Sequence, residues 1–502
     1  MTTRSIWIEI DSLHSEVLLR AINQGLMPNL ARIMECGGAT EVGYEIPLQV
    51  AAWATAHTGL SVTKHGAIAF DQRIPGTYRM RIETRPIPPG IAYWDVLGKV
   101  GKRVLVINSV NAIPTHEVNG IQLNDWSVHV AGRYMKPTSF PPEIAETLER
   151  EFPGDPFREE DWGSEKFVDA GRLVNAISSN LARKVKAFSK LIDCEGWDHV
   201  HIGIDDLHNL GHVLWDSFDE NNPGNALVRK ALSETDAAVG VFLDRAGTDA
   251  AAMIVVLGGI GPANTWSHMV DKIIAHFESG GVRDRNIYGV LGRVWSAQPH
   301  WLKSRIFPLK SYLREFYFGA IRRHRRAYAM PLNEESGAIR INLRGREPNG
   351  LVAPGEEYEA LVGELRDAFL DLRDTESGVP LVSEFLLTRD LVPEAMDSPM
   401  LPDIFIKWNR AKRMEVVQSD RLGPIKIDFW PARTGDHHVD GFVLSNRPVA
   451  HDRNVSVLDL APTIAALHGV DRLKRWRGSA FVGPNQRPKG EPAAARAVSR
   501  FR

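Results

Sequence analysis

The sequence predicts an α/β fold: a mostly parallel central sheet flanked by helices, with an inserted cap subdomain. Three observations predict it. Short runs rich in β-branched residues recur along the chain, helical patterns separate each run from the next, and two stretches break that alternation.

In order, the strand-like runs are SIWIEID (5–11), RVLVINS (103–109), DHVHIGID (198–205), AAMIVVLGG (251–259) and GFVLSN (441–446). Helical periodicity covers 15–22, 28–36, 92–100, 142–151, 170–192, 224–246, 356–372 and 457–468. Strand, helix, strand is the order that crossover helices between parallel neighbours require. At 46–59, IPLQVAAWATAHTG reads as a loop leading into a helix whose N-terminal end can cradle an anion.

The alternation breaks at 110–165, which carries Pro, Trp and Asp-rich loops, and at 280–430, where basic helices mix with a separate βα pattern. The expected organisation is a core over 1–280 with a cap-like insertion at about 110–165, an inserted or cap subdomain over 281–430, and a return to the core over 431–483. The tail 484–502, PNQRPKGEPAAARAVSRFR, has the composition of a poorly ordered segment. RRHRR at 322–326 is the dense part of a basic cluster and is expected to be a solvated helix face.

The chain has 502 residues, enough to bury a large core, and its 60 basic and 62 acidic residues give a net charge of −2. That balance argues against nucleic acid or an anionic membrane surface and leaves a small molecule as the expected partner. Cys36 and Cys194 lack CxxC spacing, suit a reducing compartment and are expected as buried thiols. Glu9 and Asp11 interrupt the N-terminus before a signal-peptide apolar region of about seven to fifteen residues can form. The longest apolar run, 250–263, falls short of the roughly 18 to 20 residues that span a bilayer. A cytoplasmic protein is expected, and the oligomeric state is left open.

Asp11 closes the first strand, at the edge where open α/β sheets bind ligands, although an Asp there also serves as a helix cap. HNLGHVLW (208–215) places His208 and His212 one helical turn apart directly after a strand, half of a zinc site in chemistry and spacing. GDHHVDG (435–441) offers His437 or His438 as a third donor ahead of another strand. Asp206 either orients an imidazole or caps the helix. Arg340, Arg344 and Arg346, in AIRINLRGREPNG (338–350), either clamp an anionic substrate or line a solvated face.

The order of Asp11, PNLARIMECGG, PLQVAAWATAHTG, TKHG, HNLGHVLW, GIGP (259–262), GDHHVDG and VLDLAPTIAALHGV (457–470) resembles the type I phosphodiesterase/nucleotide pyrophosphatase branch of the alkaline phosphatase superfamily. The resemblance implies an alkaline-phosphatase-like fold with two metals at the sheet's C-terminal edge. One metal would be held by His208, His212 and His437. The other would be held by Asp11, a hydroxyl nucleophile and an adjacent Asp-His pair.

Two departures follow from the same register. The nucleophile's place falls on Gln49, whose amide cannot attack to form a phosphoester, and the Asp-His pair falls on Leu257 and Gly258. Three imidazoles of one metal persist while most ligands of the other are gone, which points to a site reduced to one zinc, with a second divalent metal as the less economical alternative. Zinc on three histidines with an open position is a catalytic arrangement, because it brings the pKa of bound water to about 7. Ser12, Thr55 and Thr58 are the nearby hydroxyls that could replace the nucleophile. The expected function is therefore a metal-dependent hydrolase of a phosphate or sulfate ester, foremost a diester. The alternatives are an inactive pseudoenzyme that binds a ligand or partner, and a lyase or isomerase using the metal as a Lewis acid.

Overall fold

The computed structural model describes residues 4–82, 87–110, 114, 118–128, 136–157, 169–194, 196–279, 318–332, 335–395, 398–427, 433–449 and 454–482. The expected tail and the first part of the basic cluster lie outside the described residues. The chain forms two units, one of Met1–Ala67, Thr84–Ala263 and Trp430–Arg502, the other of Ile68–Glu83 and Asn264–Phe429.

The first unit is built on a nine-stranded sheet. Across it run Val455–Ser456, Ala39–Gly43, Gly435–Ser445, Ala251–Pro262, Ser5–Ile10, His199–Ile204, Val104–Ile107, Gly120–Asn124 and Thr138–Phe140. Ser5–Ile10 pairs in parallel with His199–Ile204 on one side and Ala251–Pro262 on the other. Val104–Ile107 continues the parallel array. Gly435–Ser445 enters antiparallel, with a register shift between His438 and Gly441. All five strand-like runs are strands, and helices occur at all eight expected places. The fold class is the one the sequence predicts.

Side-chain alternation on the central strand divides the core in two. Ile6, Ile8 and Ile10 pack with Leu18, Leu30, Ile177 and Val239 on one face, and Trp7 packs with Trp53, Trp94 and Met253 on the other. Apolar surface removed from water on both faces is what holds the sheet, at about 1.5–3 kcal/mol per fully buried large side chain.

The second unit contains an antiparallel sheet of Ala327–Ala329, Gly337–Ile341, Ile404–Trp408 and Val382–Leu387, with the helix Glu356–Leu370. Tyr358, Leu361 and Leu365 of that helix bury with Ile339 and Ile404 of the sheet.

Two expectations need correction. Cys36 and Cys194 are both exposed free thiols. Their places near helix ends, at 28–37 and just past 193, put them outside the apolar stripe. In RRHRR, Arg322 is buried and donates to the Tyr78 carbonyl at 2.9 Å, and Arg325 pairs with Asp271 at 2.8 Å, so only part of that run is a solvated face.

Buried histidines make the fold acid-sensitive. His65 Nδ1 accepts from the Ala67 N–H at 3.0 Å, so its Nε2–H donates to Thr55 Oγ1, also at 3.0 Å, and the neutral ring satisfies both bonds. Burial pushes His65 down from 6.5 to about 3. The unfolded chain therefore binds the extra proton between those values, and the contribution, full above about pH 6.5, is lost progressively as pH falls toward 3. Denaturant titrations at pH 6 and pH 4 are expected to show stability falling with acidification. In His65→Gln that slope should be smaller by about 1.4 kcal/mol per pH unit.

Candidate metal centre

The candidate centre forms at the C-terminal edge of the sheet. Asp11 directly follows the first strand, and its backbone N–H donates to Ile204 O at 2.9 Å. Ser12 then adopts φ +70°, uncommon for a residue with a Cβ, and turns the chain toward the helix Ser15–Asn23. Leu207–Leu214, the helix that follows His199–Ile204, carries His208 and His212. It sits close against the sheet because Gly211 has no side chain: a Cβ there would stand 2.6 Å from Ile260 Cγ1. His437 comes from Gly435–Ser445, opposite Ile260 in the register.

The three rings converge. Each pair of ring centroids is 4.8 Å apart, and one nitrogen of each ring lies within 4.8 Å of the others. Asp11 Oδ2 is 2.7 Å from His208 Nδ1, and the Gly435 carbonyl is 2.9 Å from His212 Nδ1. A carboxylate and a carbonyl only accept, so both Nδ1 atoms carry a proton, and in the neutral rings both Nε2 atoms present lone pairs. These Nε2 atoms are 3.2 Å apart. Lone pairs at that distance repel unless a cation or proton stands between them. Burial pushes His212 well below the ordinary imidazole range and takes His437 down to about 3, with His208 adding to the effect. Protonation of His212 and His437 near neutral pH is thus disfavoured, and a divalent cation fits the donor set: three nitrogens, two of them with their outer N–H held by an acceptor.

Asp11, expected as a ligand of the other metal, has neighbours at both carboxylate oxygens. One oxygen faces His208, and the other accepts from Gln49 Nε2 at 2.7 Å. Gln49 opens the helix Gln49–Thr58, and its side chain covers Gly258, where a Cβ would stand 2.3 Å from Gln49 Cδ. A side chain at 258 would require the Gln49 side chain to move, so positions 49 and 258 are packed against each other.

Asp206 stands at the N-cap position of Leu207–Leu214, one of its two expected places, but it does not contact an imidazole. Its carboxylate is fully buried and accepts from Lys184 Nζ and Asn180 Nδ2, both at 2.7 Å, and no side-chain cap bond forms at the helix start. Asp11 is the carboxylate beside an imidazole, 2.7 Å from His208 Nδ1. The arginine block belongs to the second unit and is engaged there. Buried Arg340 pairs with Glu347 at 2.7 Å, Arg346 with Asp403 at 2.7 Å, and exposed Arg344 lies 3.7 Å from Glu357. Of the three hydroxyls, Thr55 is bonded to His65 and Thr58 donates to the Ala54 carbonyl at 2.7 Å, both inside the helix packing. Ser12 Oγ reaches the centre, 3.1 Å from His208 Nδ1.

Sequence reasoning missed a second convergence, of Glu9, His57 and His201, all fully buried in the same unit. The available signal was polar residues at period two within buried strands: Ser5 and Glu9 in SIWIEID, His199 and His201 in DHVHIGID.

The fold is of the alkaline-phosphatase-like class, and the cluster is one that could hold a metal ion. The model of the family described as type I phosphodiesterase / nucleotide pyrophosphatase matches residues 5–410, and the chain belongs to that family. Its name places the family's chemistry on phosphate esters. Among solved structures, phosphonoacetate hydrolase from Sinorhizobium meliloti 1021 in complex with phosphonoformate is similar at TM-score 0.50 and 13% identity, covering 92% of this chain and 94% of that one. A mutant of the alkaline phosphatase PafA is similar at TM-score 0.51 and 11% identity, covering 96% and 100%. At these identities the likeness concerns the fold. Comparison with curated proteins gives no match. Among the described residues, no helix is long and apolar enough to cross a membrane.

Proposed function

We propose that this chain is a hydrolase of phosphate or sulfate esters, foremost diesters, that works with one divalent cation, zinc by donor preference, at His208, His212 and His437. The observation that carries the reading is the pair of Nε2 lone pairs 3.2 Å apart, each on a ring whose Nδ1–H is held by an acceptor. A bound cation would supply Lewis acidity and an activated water near neutral pH. The chain's own residues do the rest. Asp11 and the Gly435 carbonyl fix the two imidazoles, and Gln49 fixes Asp11 while closing the place of a second metal. With glutamine at position 49, water attacks phosphorus or sulfur directly, the ester bond to the alcohol breaks, and the alcohol leaves with a proton.

The test is a screen of phospho- and sulfoesters before and after chelation, with zinc added back. Turnover that follows the cation, with inversion at a chiral phosphorothioate diester, supports the reading. Retention of configuration would instead indicate a covalent intermediate and point to Ser12. A chain that binds the cation and turns over nothing would favour the ligand-binding pseudoenzyme, the reading that Gln49 at the nucleophile position also suits. Gln49→Thr alone is expected to give no gain in phosphodiesterase rate, because Leu257 and Gly258 still offer no ligands. A large gain in steady-state turnover from that one change would refute the packing argument.

A further inference from the structure

On the central strand that leads into Asp11, the first unit buries Glu9 together with His57 and His201. His57 Nε2 contacts Glu9 Oε1, and His201 Nε2 lies 3.1 Å from that same oxygen. His201 Nε2 is nevertheless without a hydrogen-bond partner, so the approach lacks the alignment such a bond needs. The ring cannot turn away. Its Nδ1 is 2.7 Å from the Tyr93 hydroxyl, which is itself 2.8 Å from His199 Nε2. Two imidazole nitrogens and a carboxylate oxygen thereby lie within 4.8 Å of one another.

We propose that Glu9, His57 and His201 form a second cation site, sealed in the core and taking a borderline-soft divalent ion such as zinc. A lone imidazolium would neutralise Glu9 yet leave His201 Nε2 buried and unsatisfied, at a cost that mutational data put at about 1–3 kcal/mol. A divalent ion between the three groups would take the lone pair of His201 Nε2 together with His57 Nε2 and the Glu9 charge, leaving His57 Nδ1 as the ring nitrogen without a partner. The outer nitrogen of His201 is held by Tyr93, as an outer partner holds a ligating histidine. Trp7 stacks on His201 at 5.4 Å, Trp53 on His57 at 5.9 Å, and Trp94 meets both rings at 5.3 and 5.5 Å. Such walls exclude water, so the ion would be taken up as the chain folds and would couple metal supply to stability.

The experiment counts zinc per folded chain by elemental mass spectrometry, on full-length protein expressed with supplemental zinc. It compares the parent with His212→Ala/His437→Ala. Two ions in the parent and one in the double variant are expected. One in the parent and one in the double variant would keep this site and overturn the three-histidine centre. One in the parent and none in a folded double variant would overturn this site and keep the other, and none in either would overturn both. Adding His201→Asn to the double variant should remove the remaining ion. Zinc-edge anomalous density from crystals of the unaltered chain reads the same point without substitution: a peak within ligand distance of Glu9 and both imidazoles supports the site, and its absence from crystals grown in zinc overturns it.

Discussion

His212→Ala is expected to hold one divalent cation fewer than the parent and to lose all cation-dependent ester turnover. The substitution removes one of three nitrogens in a cluster whose other two cannot complete a tetrahedral site. Asp11→Ala is the informative contrast. Asp11 touches His208 at 2.7 Å and so positions a ligand. Its loss should weaken cation affinity by about 10–100-fold while leaving the number of ions at saturation unchanged. If Asp11 instead held a second metal, as the family pattern implies, the same change would remove an ion and spare the affinity of the first. Zinc titrations followed by competition with a chromophoric chelator separate the two results.

That contrast marks where the sequence stops being legible. The parallel core was readable because its strands are β-branched runs set between helices of ordinary length. His208 and His212 were readable because a helix puts residues four apart on one face. The antiparallel entry of Gly435–Ser445 was not, since pairing direction is a matter of the long connection before it, nor were edge strands as short as Thr138–Phe140 and Val455–Ser456. The register sets Gln49 at the nucleophile's place and Gly258 in that of the Asp-His pair, but nothing in it shows that the two are neighbours in space, with a Cβ at 258 only 2.3 Å from Gln49 Cδ. The pairing of Asp206 with Lys184 was not legible, because DD at 205–206 sits beside the histidines in sequence while Lys184 lies on a different helix. Glu9, His57 and His201 were missed for the same reason: their meeting is made by strand pairing and a helix end, not by local spacing.

Lys184→Met is expected to lower stability by about 3–5 kcal/mol, because it strands two carboxylates in the interior. The ammonium is 2.6 Å from Asp205 and 2.7 Å from Asp206, with Lys184 and Asp206 almost wholly buried. Burial alone would lower the lysine's pKa, yet the two carboxylates raise it above its ordinary value, so the cation is held through any ordinary pH. The pair of aspartates lies immediately before Leu207–Leu214, and the lysine therefore fixes where the His208 helix begins. Unlike a surface ion pair, this one should show its loss twice, as a lower denaturation midpoint and as weaker zinc binding by chains that remain folded. Adding Asp205→Asn and Asp206→Asn removes the unpaired charges and should recover most of the stability. Recovery of zinc affinity in the triple variant would mean that charge neutrality at the helix start is enough to place His208. Continued weak binding in a fully stable triple variant would mean that the geometry of the Lys184 bridge itself places the imidazole.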